Sequence, residues 1–166
     1  MADHNCSLSH PFIFVILPTG FNDIGDAGTE ALANSLASNS TLKILHLSGN
    51  AITDVGFRFL ANALCENKTL SSLYLTGNSG GTGGAAALAE SLLMNTTVEV
   101  LCFNGNNIKE RGAVSISEML KTNSTITHLN LVSVHNRLQY WHSSFNPAIH
   151  FLIAAFVFYG LSCFHS

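Results

Sequence analysis

One pattern of leucine, asparagine and glycine returns at a single fixed interval along this chain, the step from Leu45 to Leu73, and it is clearest in the stretch 41–68, TLKILHLSGNAITDVGFRFLANALCENK. Leu45, Leu73, Leu101 and Leu129 form one column, and Leu47, Leu75, Phe103 and Leu131 a second. Asn22, Asn50, Asn78 and Asn106 form a third, and Gly28, Gly56, Gly84 and Gly112 a fourth. Leu32, Leu60, Leu88 and Ile116, followed by Leu36, Leu64, Leu92 and Leu120, complete the unit. A fixed period of this length restricts the chain to stacked copies of one small unit, none of which can cover its own apolar face alone.

Within a unit the periodicity changes once. The alternation at Leu45, His46 and Leu47 sends the leucines to one face of an extended segment and His46 to the other, toward solvent. From Asp54 the apolar spacing becomes helical, with Leu60 and Leu64 on one face and Ala61 and Ala63 small enough for close packing. The asparagine column falls where the chain leaves the strand, and turn amides and carbonyls buried there need partners. An amide side chain offers both a donor and an acceptor, so Asn22, Asn50, Asn78 and Asn106 are expected to form a hydrogen-bonded ladder between coils.

The unit reads L-x-x-L-x-L-x-x-N-x-I, then a polar residue, a glycine and a helical run ending in Asn. This resembles the leucine-rich repeat, in detail the ribonuclease-inhibitor subtype found in the repeat regions of NOD-like receptors. The resemblance implies an α/β solenoid, a horseshoe with parallel strands on its concave face and helices on its convex face. Residues 14–131 divide into coils 14–40, 41–68, 69–96 and 97–124 and a final strand at 126–131, after a non-repeat segment at 1–13. Phe14 and Leu17 lie one period before Leu42 and Leu45 and mark a degenerate first strand. Asp26, at the start of the first helix, and Glu110, at the start of the last, stand where an acceptor would cap helix amides. The third coil carries Gly80 where Ile24, Ile52 and Ile108 stand in the others; an unfilled space there would cost about 2–5 kcal/mol, making this coil the softest.

The run Ser79–Gly84 also spells G-x-G-x-x-A through Gly81, Gly83 and Ala86, with Glu99 farther along the chain, as in phosphate-binding turns. Against a nucleotide site, Gly77 and Gly84 are ordinary repeat glycines, Glu99 falls at the start of a strand rather than its end, and no Gly-Lys-Ser/Thr follows. Asn39, Asn67, Asn95 and Asn123 each begin an N-x-T sequon, but they recur at the repeat period at the helix-to-strand turn. A structural role is expected for them, with asparagine tolerating the left-handed conformation there. His128, His135 and His142 are seven apart but are not expected to share a face, and no cofactor or metal is implied. Four dispersed cysteines, Cys6, Cys65, Cys102 and Cys163, support neither a disulfide framework nor a zinc site and suggest a reducing compartment. Charged residues make up 10% of the chain with a net of -3, so nucleic acid is excluded as an expected partner. No nucleophile–base arrangement is recognisable, which points away from an enzyme.

The surface left for function is the concave one. Ile44, His46 and Ser48, then Ser72, Tyr74 and Thr76, Val100, Cys102 and Asn104, and His128 and Asn130 project from successive strands. His46, Ser48, Tyr74, Thr76, Cys102, Asn104, His128 and Asn130 are the expected partner-binding residues, with Tyr74 as the anchor. The resemblance implies a non-enzymatic protein-interaction module, a fragment, decoy or stand-alone adaptor relative of a NOD-like receptor, acting on a protein partner in the cytoplasm. A regulator of a Ran-type GTPase shares the repeat subtype, but Arg58 and Arg111 fall in or near helices, away from the strand-proximal rim; a truncated fragment without specific function is the third reading. Beyond an irregular linker at 132–147 lies an apolar segment, Ala148 to Phe164, whose 17 residues would span about 26 Å as a helix. Three roles stay open for it: a tail anchor tethering the protein to an intracellular membrane, a cap over the last coil, and an unrelated tail.

Overall fold

The computed structural model describes residues 15–131. Five short strands alternate with four helices: β1 Val15–Pro18, α1 Gly25–Ser38, β2 Leu42–His46, α2 Asp54–Glu66, β3 Ser72–Tyr74, α3 Thr82–Met94, β4 Val100–Cys102, α4 Lys109–Leu120 and β5 His128–Asn130. All strand pairs are parallel and follow chain order, β1-β2-β3-β4-β5. Leu17, Leu45, Leu73, Leu101 and Leu129 stand opposite one another across the whole sheet, as the repeat columns require. Each helix packs on the next, α1 on α2, α2 on α3 and α3 on α4, giving the α/β leucine-rich-repeat solenoid. The membrane, cap and linker readings of 132–164, the expected apolar C-terminal helix and the segment 1–13 lie outside the described residues. Among the described residues no helix is long and apolar enough to cross a membrane.

Between sheet and helices, Leu45, Leu47, Leu60, Leu64, Leu73, Leu75, Leu88, Leu92 and Leu101 are fully or almost fully buried. The polar groups enclosed with them are joined from coil to coil. Asn78 Oδ1 accepts from the amides of Asn50 and Ile52 at 2.9 and 3.1 Å, while its Nδ2 donates to the carbonyls of Leu47 and Leu75 at 2.8 and 2.9 Å. Asn50 repeats this toward the amides of Asn22 and Ile24, and Asn106 toward the Gly80 amide. Asn22 differs: it is exposed, and its Nδ2 turns back to the Gly20 carbonyl of its own coil.

A second ladder runs along the opposite corner. The Nδ2 groups of Asn67, Asn95 and Asn123 donate to Leu36 and Asn39, Leu64 and Asn67, and Leu92 and Asn95 carbonyls of the preceding coil. Their Oδ1 atoms accept from amides two and three residues ahead, turning the chain into the next strand. The left-handed backbone expected at this turn is not found: Asn39, Asn67 and Asn95 are extended, with ψ of 130, 130 and 129°. Left-handed backbone recurs instead at Gly49, Gly77 and Gly105, beyond the other end of each strand, where glycine adopts it without strain.

Two further expectations are corrected by contacts between coils. Asp26 does not cap its own helix; its carboxylate accepts from the Thr53 amide and hydroxyl and from the Gly56 amide at 2.8, 2.6 and 3.0 Å, capping the start of α2. Asp54 does the same for α3 through the amides of Gly81, Gly83 and Gly84. Glu110, the last of this column, makes no capping bond to α4, because that helix begins at Lys109 and its carboxylate stands exposed in the first turn. Nor is there a gap at Gly80. Phe57, fully buried on α2, lies where the isoleucine would be, and a Cβ on Gly80 would sit 1.9 Å from its ring. The ring continues to Phe103 at 5.2 Å, so the third coil is filled from its neighbour.

Candidate functional site: the concave strand surface

Strand registry determines which outward side chains meet. Ile44, Ser72, Val100 and His128 form one row across β2 to β5, and His46, Tyr74, Cys102 and Asn130 the next, with Pro18 of β1 beside His46. Adjacent strands lie about 4.8 Å apart, close enough for planar side chains in a row to touch face to face. His46 and Tyr74 do so, with ring centres 4.1 Å apart and planes 10° from parallel. His46 is therefore half-buried rather than simply solvated, and burial holds its pKa below the ordinary histidine value. Thr19 of the first coil donates its hydroxyl to the His46 carbonyl at 2.7 Å, fixing the strand on that side.

A third row follows the strands. Ser48, Thr76 and Asn104 are half-buried, and Thr76 Oγ1 donates to Asn104 Oδ1 at 2.8 Å, tying the ends of β3 and β4. His128 is exposed on the last strand, its Nδ1 2.8 Å from Thr127 Oγ1, and Asn130 is half-buried. Ser72, expected to project into solvent, is buried between its neighbours in the row. Positions 44, 46, 48, 72, 74, 76, 100, 102, 104, 128 and 130 carry no Asp, Glu, Lys or Arg. The wall therefore offers ring faces and edges, hydroxyls and amides, and contact with it is governed by shape and hydrogen bonding.

The glycine run at 79–84 belongs elsewhere. Its amides face the Asp54 carboxylate, an internal anion in the place a phosphate would need. Among the described residues no group of His, Cys, Asp and Glu could hold a metal ion.

Sequence reasoning passed over Phe21. It occupies the column of Gly49, Gly77 and Gly105, shares their left-handed backbone with φ of 58°, and is 85% exposed with its ring laid over Gly49. A lone aromatic in an otherwise all-glycine column is a signal visible in the alignment of the coils. It sits at the rim of the concave wall, on the first coil.

Parallel strands in registry, a layer of helices behind them and asparagine ladders between coils make up a leucine-rich-repeat fold. A family model described as "Leucine Rich repeat" matches residues 20–33 and 38–61. Among solved structures the chain is similar to leiomodin-1 actin-binding site 2, with a TM-score of 0.69 and 24% identity over 83% of this chain and 78% of that one. It is also similar to the tropomodulin C-terminal domain of Caenorhabditis elegans, with a TM-score of 0.67 and 13% identity over 86% of this chain and 82% of that one. No curated protein sequence matches. The two similar structures support the repeat fold and do not single out the ribonuclease-inhibitor or NOD-like receptor subtype.

Proposed function

We propose that the protein is a non-enzymatic interaction module that takes a protein partner on its concave strand surface. The observation that carries this reading is the stacked His46–Tyr74 pair at the centre of an uncharged wall, flanked by the Thr76–Asn104 pair. Two rings already held against each other lose little rotamer freedom on contact, and aromatic anchors of this kind dominate interface energetics. Ser48, Cys102, His128 and Asn130 extend the surface to either side. The partner acts in the cytoplasm on this reading, and neither the NOD-like receptor relationship nor a role toward a Ran-type GTPase gains support from the similar structures.

A photo-crosslinking residue placed at Tyr74 in the full chain tests this against one at Asn62, which is exposed on α2. The expected result is a discrete adduct from position 74 that is lost when His46→Ala is added, and none from position 62. Adducts from 62 alone would overturn the reading. A second, narrower reading is suggested by leiomodin-1, whose matched structure is an actin-binding site. Co-sedimentation with actin filaments, with monomeric actin measured in parallel, decides it: binding lost in Tyr74→Ala supports actin as the partner, and no binding in either assay dismisses it.

A further inference from the structure

Which way each helix face looks along the array is fixed by what it touches. Phe57 of α2 packs against Gly80 and Gly84 of the following coil, so the column Phe57, Ala85 and Ala113 faces forward. Ser117, one turn past Ala113, faces the same way. A Cβ on Gly56 would meet Asp26 and Thr29 of the preceding coil, so its column faces backward, as does the column seven residues on, Ala63, Ser91 and Met119. On the first coil that backward column opens: Ser35 is exposed, while Ala63 and Ser91 are each 4% exposed. The forward column of the last coil does not open in this way. Ala113 is 2% exposed, against 0% for Phe57 and Ala85, and Ile108 and Leu120 are each 1% exposed. Among the described residues the one element after α4 is β5, which is paired with β4 in the sheet, whereas Ala113 belongs to the helix layer behind it.

We propose that the apolar segment 148–164 packs against the forward side of α4 and closes the array, serving as the cap among the three roles open to it. The residues between, 132–147, do not fit as a fifth coil. In register they would set Tyr140 in the column of Gly112, where a Cβ already meets Ala85 of the coil before at 3.0 Å. Ser144 would fall in the column of the fully buried Ile116, and Val134 in that of the ladder asparagines. Closure therefore comes from outside the repeat, and the face to be closed is uncharged, formed by Ala113, Ser117, Ile108 and Leu120. The segment 148–164 carries no Asp, Glu, Lys or Arg. As a helix its 17 residues would reach about 26 Å, against about 18 Å for the 12 residues of α4. Extended, residues 132–147 span about 50 Å, enough to bring the segment from the end of β5 back to α4. The contact takes two apolar surfaces out of water at once and shields the solenoid end. The same segment surface cannot lie in a bilayer at the same time.

A photo-crosslinking residue placed at Ser117 of the full chain, with its adducts mapped by peptide mass spectrometry, tests this against one at Asn34, exposed on α1. The expected result is an adduct within one chain joining position 117 to residues 148–164, and none from position 34. Adducts confined to 132–147, adducts only between copies, equal adducts from position 34, or none at all would each overturn the proposal. A second variant, Phe156→Asp, sets a charge in the middle of the segment. Hydrogen exchange of the α4 amides should then quicken about tenfold or more, with those of α2 unchanged; exchange in α4 that does not change would contradict the cap. Phosphatidylcholine vesicles added to the unsubstituted chain should leave it unbound. Flotation of the chain with the vesicles would show that the segment prefers a bilayer to α4 and would also overturn the proposal.

Discussion

The junction of the first two coils and the junction of the next two reach the same packing by different means. Between coils one and two, the interior position before the helix is Ile52, fully buried, and the facing helix brings only the small buried Thr29. Between coils two and three the isoleucine is replaced by Gly80, and the facing helix brings Phe57. Volume is thus held constant across the joint, not within a column of the repeat. Capping, by contrast, is the same in both places, a carboxylate of one coil on the amides of the next. Each coil is completed by its neighbour, and the comparison can be broken at either the apolar or the polar half.

The largest effect is expected at the apolar half. Phe57→Ala empties the space over Gly80 and separates Phe103 from its ring partner, and should lower stability by about 3–5 kcal/mol, read from the denaturant midpoint. At the second asparagine ladder, Asn67→Ala leaves the Leu36 and Asn39 carbonyls and the Thr69 and Leu70 amides without their partner. A loss of about 2–3 kcal/mol is expected by the same measurement.

The polar cap gives a smaller, pH-dependent effect. Burial raises the Asp26 pKa, but the bonds from Thr53 and Gly56 together with the Arg58 charge outweigh it, and the carboxyl is held below its ordinary value. Because the folded pKa is depressed, this contribution is present above the unfolded carboxyl value of about 3.9 and disappears as pH falls through the folded one. Asp26→Asn should therefore destabilise the protein near neutrality and flatten its stability profile below about pH 4. Smallest of all is the effect on the concave wall. His46 is kept neutral by burial, so it favours the fold fully above the usual histidine value and less as pH falls through it. The imidazole titration followed by NMR should shift upward in Tyr74→Ala, which uncovers one face of the ring.

The sheet order, the strand registry and the buried leucine columns were legible in the sequence, because each is a relation between copies of one position a single period apart. The pairing of Phe57 with Gly80 was not, since it links different positions of different coils, and comparison down a column shows only a missing isoleucine. Asp26 was misassigned for the same reason, and Asp54 was passed over: local capping rules look along the chain, and these carboxylates reach across it. Of the wall, the row His46–Tyr74–Cys102–Asn130 could be placed from registry alone. That two of its members stack, that Ser72 is buried, and that Phe21 stands at the rim depend on side-chain directions which a periodic pattern leaves open.

The most direct test of shared volume between coils is a double-mutant cycle on Phe57→Ala and Gly80→Ile, a combination that recreates the Ala85–Ile108 pairing of the next junction. Each change alone should destabilise, the first by leaving a cavity and the second by forcing a side chain into the phenylalanine ring. Together they should recover most of the loss, with a coupling of about 2–3 kcal/mol. Strictly additive losses would contradict the account, because they would mean that the two coils are packed independently.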